Sequence, residues 1–442
     1  MTKPTKTPIN SSRRQFLTNA GALAGSTAIL AGLNSTSAQS QNTKPIVVGC
    51  PAPLTGIVAA DGIEFRNGLE MAAGEINSAG GILGRPVELE FVDTESKGDD
   101  VVIQAAQRLI DRNNASVLIA GYNLETGTAM HDIAADAGVV VMHSNTVAVH
   151  DELVKSDPDR FWGTFQYDPP ETMYGNGLLK FLAEAEASGN FKRPNKKIAI
   201  VTGPGTYSVN IANALKDGAA EYGYEVSLYE TVKVPVTDWG PTLAKLRADP
   251  PAVIAITHFY TSDQAQFMNQ FMNDPTNSLV YLQYGASLAA FRDIAGDNSV
   301  GAIYATVIGA LQDEIGTAFS DAYKAKFGNS ASPNGGGQTY QALHAYAIAA
   351  ALAGGPGAPY EADQNRAVAD RLRSLIYRGP MGTMRIRPDT QSAYSYPTET
   401  NDPSLGMPHI FSQIHDKSKD GVLISPAPYV KGSFRMPPWM KG

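Results

Sequence analysis

From residue 44 onward, short apolar runs alternate with longer segments whose apolar residues recur at helical spacing. Strand-like runs occupy 46–50, 87–92, 117–120 and 139–142. Between them, segment 99–112 places apolar residues at i, i+3, i+4 and i+7, which is typical of one face of a helix. This alternation predicts βαβ units and a parallel sheet covered by helices on both faces. The run at 87–92 is interrupted by two glutamates, which indicates a strand at the edge of that sheet.

A second set of strands follows a stretch rich in Pro and Asp at 155–172. The strand-like runs of this set lie at 198–202, 225–229, 253–257, 279–284 and 302–307. The glycine-rich stretch 330–340 is expected to form a loop. The tail from residue 379 is expected to wrap around the second set of strands and to contain one strand, at 409–414.

The predicted fold class is α/β, with two doubly wound βαβ lobes joined by three hinge crossings. A mature chain of about 400 residues is long enough to split into two cores rather than one. We expect the crossings near residues 163, 305 and 400. Lobe 1 then comprises 44–163 plus 306–400, and lobe 2 comprises 164–305 plus 401–442.

The first 38 residues are typical of an export signal. Arg13 and Arg14 stand directly before an uncharged, Gly/Ala-rich run at 20–33, and a small-residue cleavage site ends at Ala38. The run is shorter than the roughly 20 apolar residues that a membrane span needs. The pair of arginines indicates the twin-arginine pathway, so residues 1–38 are interpreted as a signal peptide and the mature chain is expected in the periplasm.

Composition excludes several classes of function. The net charge of −8 leaves no basic face for nucleic acid or anionic lipid. Cys50 is the only cysteine, so an intramolecular disulfide and a cysteine-based metal site are both impossible. It resembles an acylated lipoprotein cysteine, but its apolar surroundings favour a buried first strand. The histidines look scattered, and His143 with His150 is not a metal spacing; no cofactor, no metal and no catalytic motif are expected.

All the candidate ligand-binding residues except Trp162, which is a candidate for its aromatic ring, follow the carboxyl ends of the predicted strands, where doubly wound sheets bind their ligands. They are mostly hydroxyls, amides and aromatic rings, which suit a small ligand with a polar group and an apolar remainder. The candidates are Tyr122, Glu125, Thr126, Ser144, Asn145, Thr146, Trp162, Tyr207, Tyr260 and Ser287.

The loop at 203–208 raises a different hypothesis, an exported NAD(P)-dependent oxidoreductase. Its G-P-G-T-Y-S sequence lies one substitution away from the dinucleotide fingerprint G-x-G-x-x-G. However, Pro204 has no N–H to offer a phosphate, and Ser208 occupies the place of the third glycine. A complete βαβ lobe also precedes the loop. The pattern therefore favours a binding protein over an enzyme.

The chain resembles the type I periplasmic solute-binding proteins of the branched-chain amino-acid (leucine/isoleucine/valine-binding) and amide/urea group. The motif P-L-T-G at 53–56, a helix, and the pattern N-x-x-G-G-I-x-G-R-x-V-x-L-x-x-x-D at 77–93 carry this resemblance. It implies a substrate-binding component of an ABC importer whose lobes close around the solute. The implied partners are a small-molecule ligand and an inner-membrane permease, and the mature chain is expected to be a monomer that does not insert into the membrane.

The resemblance also implies roles for individual residues. The hydroxyl that holds the ligand carboxylate falls on Thr126, and the binding positions after the fourth strand fall on Ser144 and Thr146. The two ligand-contacting aromatic positions of the second lobe fall on Tyr207 and Tyr260.

One implied residue departs from the family pattern. The acid that pairs with the ammonium group of an amino acid falls on Ser287. Either Glu125 replaces this acid, or a ring cluster holds the cation, or the ligand has no ammonium group. The rings are Tyr122, Trp162, Tyr207, Phe259 and Tyr260. An amino acid, an amide, a urea and an aromatic acid all remain open as ligands, and a sensor with the same fold remains an alternative to a transporter.

Overall fold

The computed structural model describes residues 44–124 and 127–441. The predicted signal peptide, with its cleavage site after Ala38, lies outside the described residues. None of the described helices is both long and apolar enough to cross a membrane.

Strands and helices alternate along most of the described chain. The strands are β1 (Ile46–Ala52), β2 (Val87–Asp93), β3 (Val117–Ile119), β4 (Val140–His143), β5 (Thr164–Gln166), β6 (Lys197–Thr202), β7 (Glu225–Thr231), β8 (Val253–Ile256), β9 (Leu279–Gln283), β10 (Ile303–Thr306), β11 (Ile376–Gly379), β12 (Gly382–Arg385), β13 (Ser395–Tyr396), β14 (Met407–Pro408), β15 (Ile410–Gln413) and β16 (Val422–Ser425). The helices are α1 (Ala59–Ser78), α2 (Asp99–Asp111), α3 (Ala129–Asp136), α4 (Ala148–Ser156), α5 (Thr172–Ala187), α6 (Thr206–Gly218), α7 (Gly240–Ala248), α8 (Thr261–Phe271), α9 (Ala289–Ala295), α10 (Glu314–Phe327), α11 (Pro333–Leu352) and α12 (Ala362–Ser374).

Two separate sheets form the cores of two lobes. The first sheet is parallel, with the strand order β2-β1-β3-β4-β5. Strand β2 is at its edge, which confirms the prediction from the alternating glutamates, and Cys50 is completely buried in β1. The second sheet has the order β16-β15-β10-β9-β8-β6-β7, and β15 pairs antiparallel with both of its neighbours. The α/β fold class predicted from the sequence is confirmed.

The chain passes between the two sheets three times. It leaves the first sheet after Gln166, leaves the second after Thr306, and returns to the second at Ile410. The first sheet therefore ends at Gln166 rather than at residue 163. The reason is that β5 pairs with β4 over three residues beyond that position, in a run too short to give a periodic pattern.

The prediction of a loop at 330–340 is wrong, because helix α11 begins at Pro333. Proline fits the first turn of a helix, where no intrahelical hydrogen-bond donor is needed. The glycines that follow serve close packing. A Cβ at Gly336 would lie 2.1 Å from the Tyr323 hydroxyl oxygen, and one at Gly337 would lie 2.3 Å from the Met381 sulfur. These positions are helical but have no space for a side chain.

The tail contains more strands than the single one expected. Strand β15 corresponds to the run at 409–414, but β12, β13, β14 and β16 also form beyond residue 379. Each of these four has only two to four residues, too few for alternation to separate a strand from a loop. Strands β15 and β16 extend the second sheet, so the tail closes the second lobe as expected.

Candidate functional site

A cavity of about 290 Å³ lies between the carboxyl ends of the two sheets. The first lobe contributes the segments that follow β3 and β4, and the second lobe contributes the start of α6 and the segments that follow β8, β9 and β10. The lining residues are Tyr122, Asn123, Leu124, Gly127, Ser144, Asn145, Thr146, Val147, Tyr174, Gly205, Thr206, Tyr207, Phe259, Tyr260, Tyr284 and Ile308. None of these lining residues carries a charged side chain.

Aromatic rings from both lobes meet across the cavity. Tyr122 of the first lobe lies edge-to-face against Phe259 and Tyr284 of the second, with ring centroids 5.4 Å and 6.0 Å apart. Phe259 in turn contacts the edge of Tyr207 at 5.4 Å and stacks on Tyr260 at 4.7 Å. Such pairs stabilise one another beyond the area they bury. The rings therefore give the cavity an apolar wall and also join the two lobes.

The loop that resembled a dinucleotide fingerprint presents a tyrosine to this wall. Gly205 precedes α6 in an extended conformation and provides no side-chain cap. The next residues turn Tyr207 into the cavity, where its hydroxyl accepts a hydrogen bond from Gln283 Nε2 at 2.9 Å. The loop thus contributes an aromatic side chain to the ligand cavity.

The polar wall comes from the loop between β4 and α4. Ser144 Oγ donates to Gln338 Oε1 at 2.7 Å, and Thr146 Oγ1 donates to a carboxylate oxygen of Asp168. Asn145 Nδ2 donates to the Gly127 carbonyl at 3.1 Å. Because the two hydroxyl protons are engaged by the protein, the hydroxyl oxygens present lone pairs to the cavity. This wall is therefore suited to a ligand group that donates hydrogen bonds.

Thr146 has an uncommon backbone conformation. Its φ is +56°, in the left-handed region that a β-branched residue rarely adopts. The bond to Asp168, and the bond that the Thr146 carbonyl accepts from the Glu171 N–H at 3.1 Å, hold this conformation in place. Strained residues of this kind cluster at binding sites, where the surrounding structure determines their position.

A hydrogen-bonded chain behind the cavity joins the lobes. Asp61, at the start of α1 in the first lobe, accepts a hydrogen bond from the Tyr284 hydroxyl of the second lobe at 2.7 Å. Gln338 Nε2 donates to the same hydroxyl at 3.2 Å, and Gln338 also bonds Ser144. Burial raises the pKa of Asp61 to about 7, although the bond from Tyr284 opposes this shift. The carboxyl group of Asp61 is therefore ready to take up or release a proton near neutral pH.

Six of the ten predicted site residues line the cavity. They are Tyr122, Ser144, Asn145, Thr146, Tyr207 and Tyr260. Glu125 and Thr126 lie outside the described residues. Trp162 does not reach the cavity: it precedes β5, at the opposite end from the carboxyl edge of the sheet, and the Arg366 guanidinium lies 4.6 Å from its ring. Ser287 is buried in the turn after β9 and is not among the lining residues.

Sequence reasoning missed Asp61 and Tyr284. A usable indication for Asp61 was that it shares one helix face with the buried residues Phe65, Leu69 and Ala72, where an ionisable side chain is unusual. Tyr284 was included in the predicted strand 279–284. In the structure the strand ends one residue earlier, and Tyr284 turns with φ of +54° so that its side chain reaches across to the other lobe.

The interpretation of the histidines as scattered is wrong for three of them. His131, His143 and His150 lie side by side, completely buried, with ring nitrogens 3.0 Å and 3.1 Å apart. The spacing of 12 and 7 residues along the chain carries no periodic pattern. They meet because α3, the end of β4 and the start of α4 converge next to the cavity.

Comparison with known proteins agrees with this architecture. The leucine-, isoleucine-, valine-, threonine- and alanine-binding protein of Pseudomonas aeruginosa is 25% identical over 342 residues, which cover 77% of this chain and 85% of the relative. A crystal structure from Silicibacter pomeroyi, provisionally described as a branched-chain amino acid ABC transporter, is 77% identical with a TM-score of 0.83, covering 90% of this chain and 100% of that one. LivJ from Streptococcus pneumoniae, a branched-chain amino acid transporter substrate-binding protein solved in complex with isoleucine, shares the fold at 19% identity, with a TM-score of 0.69 and coverage of 86% and 100%.

The chain also matches the model of a whole protein family. The model of the periplasmic binding protein family covers residues 45–396, which is most of the chain and includes every residue that lines the cavity. This chain belongs to the periplasmic binding protein family.

Proposed function

We propose that this protein is the periplasmic substrate-binding component of an ABC importer, and that it captures one small amphipathic solute in the cavity between its lobes. The observation that carries this proposal is the cavity itself, with aromatic rings on one side and hydroxyl oxygens on the other. Such a site binds and orients a ligand.

The two walls suggest the chemistry of the solute. The rings of Tyr122, Tyr207 and Phe259 suit an apolar body, and the lone pairs of Ser144 and Thr146 suit an amino or amide group that donates hydrogen bonds. Several relatives are named for leucine, isoleucine and valine. We therefore favour a branched-chain amino acid or an uncharged amide of similar size.

Among the described lining residues, none is a counter-ion for an ammonium group, and Glu125 lies outside the described residues. Two buried carboxyl groups stand one side chain behind the cavity, Asp61 behind Tyr284 and Asp168 behind Thr146. A positive ligand group would polarise these hydroxyls and favour the ionised carboxylates. This indirect arrangement replaces the acid that the family pattern places at Ser287.

Closure of the lobes follows from contacts on both sides of the cavity. A solute that touches Thr146 in one lobe and Tyr207 in the other binds the closed form more tightly than the open form. The bond between Asp61 and Tyr284 forms only when the lobes approach, so it adds to the same closed state. The closed form is then the state that a permease would recognise.

A matched ligand series tests the proposal. Thermal shift and calorimetry would compare leucine, isoleucine and valine with leucinamide, with isovalerate, which lacks the amino group, and with isoamylamine, which lacks the carboxylate. A ligand at 100 times its Kd adds about 2.7 kcal/mol to the free energy of unfolding. We expect binding of the compounds with an amino or amide donor and weak binding of isovalerate. Strong binding of isovalerate alone would contradict the donor assignment.

The competing functions have their own tests. Saturable binding of NADH below about 1 mM would support the oxidoreductase hypothesis instead. Uptake of the identified solute by cells that lack this protein separates transport from sensing. Normal uptake in those cells, together with loss of a transcriptional response to the solute, would contradict the importer assignment.

Export through the twin-arginine pathway is a separate proposal, based on Arg13 and Arg14. Replacing both arginines by lysine should leave the precursor in the cytoplasm, which fractionation would detect. Replacing Lys3 and Lys6 by glutamine serves as the control, because it changes charge outside the arginine pair. Periplasmic accumulation of the double-lysine variant would contradict this route.

A further inference from the structure

We propose that His131, His143 and His150 form a binding site for a transition-metal dication, in addition to the solute cavity. The three side chains come from α3, from the last residue of β4 and from α4, so three packed elements fix their positions. All three are completely buried. Their ligand atoms lie within 4.8 Å of one another.

The spacing of the nitrogens suits metal coordination. His150 Nδ1 lies 3.0 Å from His131 Nε2 and 3.1 Å from His143 Nε2. Zinc–imidazole bonds of about 2.0–2.1 Å, at tetrahedral or octahedral angles, place neighbouring ligand nitrogens roughly 2.9–3.4 Å apart. The rings are tilted or edge-on to one another, with centroids 4.9–5.2 Å apart, which lets the nitrogens converge without ring stacking.

Hydrogen bonds alone do not satisfy this arrangement. A neutral imidazole nitrogen either donates one proton or offers one lone pair. His150 Nδ1 faces two nitrogens, so it can pair properly with only one of them. A metal ion accepts all three lone pairs at once.

The chemistry of the ligands limits the choice of metal. Three imidazoles suit Zn²⁺, Ni²⁺, Cu²⁺ or Fe²⁺, whereas Mg²⁺ and Ca²⁺ prefer oxygen ligands. Three protein ligands also leave a further position for water or a small anion. The three imidazoles bind as neutral ligands, so the site favours a metal that gains most of its binding energy from nitrogen ligands.

The metal site is coupled to the solute cavity through Asn145. The Asn145 N–H donates to His143 Nδ1 at a long 3.3 Å. Coordination through Nε2 leaves the proton on Nδ1, so this contact would be lost when a metal binds. Asn145 lines the cavity, and therefore an occupied metal site should change the affinity for the solute.

Metal binding is tested on the untagged mature protein after chelator treatment. One equivalent of Zn²⁺ should remain bound through gel filtration, as measured by elemental analysis, and Co²⁺ should give the visible absorption of a nitrogen-ligated ion. His150→Gln should weaken binding by at least about 100-fold. His344→Gln is the matched control, because His344 contacts Glu75 on another helix and not this cluster.

Folding of the variants is checked without metal, by circular dichroism and melting temperature. If His150→Gln does not fold, the cobalt spectrum and the metal stoichiometry of the wild-type protein are sufficient to test the proposal. Substoichiometric metal, a spectrum of oxygen ligation, or equal affinity in His150→Gln and wild type would each overturn the proposal.

Discussion

Thr146 and Tyr207 stand on opposite sides of the cavity, and each side chain is held by a hydrogen bond within the protein. Thr146 Oγ1 bonds Asp168, and the Tyr207 hydroxyl bonds Gln283. These partners fix the side chains before a ligand arrives. The ligand therefore does not lose binding energy in ordering them.

Substitution of either side chain should weaken solute binding by tenfold or more. Tyr207→Ala removes a ring from the apolar wall, and Thr146→Ala removes a hydroxyl oxygen from the polar wall. Calorimetry with the solute found in the ligand screen measures the effect. Tyr360→Ala is the control, since this tyrosine is 68% exposed. Unchanged affinity in both site variants would place the solute elsewhere.

The site was predictable where a side chain directly follows a strand. Ser144, Asn145 and Thr146 directly follow β4. Knowing where this strand ends was sufficient to predict that they line the cavity. Asp61 and Tyr284 required knowledge of how the lobes face each other, because the bond between them joins residues 223 positions apart. A single sequence does not encode such a pair in any local pattern.

Some helices and strands were likewise predictable from local sequence patterns, and others were not. Strands that are buried within a sheet, such as β6 and β8, were found from continuous apolar runs. The start of α11 was missed because its glycine run has low intrinsic helix propensity. Tertiary packing overrides that propensity. Helices α1 and α10 pack closely against α11 at the glycines, because these positions have no side chains.

This packing leads to a test on α11. Gly336→Ala should lower the free energy of unfolding by about 1–3 kcal/mol, because the new Cβ would clash with the Tyr323 hydroxyl. Gly74→Ala on α1 is the matched control, since the nearest atom to its new Cβ would be the flexible Lys326 Nζ at 3.8 Å. Removing a glycine from a helix interior there should stabilise by about 0.5–1 kcal/mol. Urea denaturation measures both, and a stable Gly336→Ala would show that the helices can separate.

The two lobes together respond to pH through Asp61. Its carboxyl group is buried at the junction of the lobes, and its pKa in the folded state is about 7 against an ordinary value of 3.8. The folded state therefore binds the proton more tightly than the unfolded state between these two values. The contribution of Asp61 to stability is fully present below about pH 4, decreases as the pH rises towards 7, and is constant above that.

Asp61→Asn should remove this part of the pH dependence. One fully titrating group changes the free energy of unfolding by about 1.4 kcal/mol per pH unit within the window. Subtracting the profile of Asp61→Asn from that of the wild type isolates the contribution of Asp61 from the other buried acids. The difference should change between pH 4 and 7 and stay flat above pH 7, as chemical denaturation across this range would measure.

Two further variants test whether the pH response depends on closure of the lobes. Asp321→Asn, an exposed acid on α10, should leave the wild-type slope unchanged. Tyr284→Phe removes the hydroxyl that bonds Asp61 from the opposite lobe, so it should raise the pKa of Asp61 further and extend the slope to higher pH. Since the carboxylate loses a donor only if the lobes are in contact, an unchanged slope in Tyr284→Phe would mean that Asp61 titrates within its own lobe. A shifted slope would instead show that the Tyr284 hydroxyl stabilises the ionised Asp61 across the closed junction, and a solute with an ammonium group would then be held more tightly by the protein whose Asp61 is ionised.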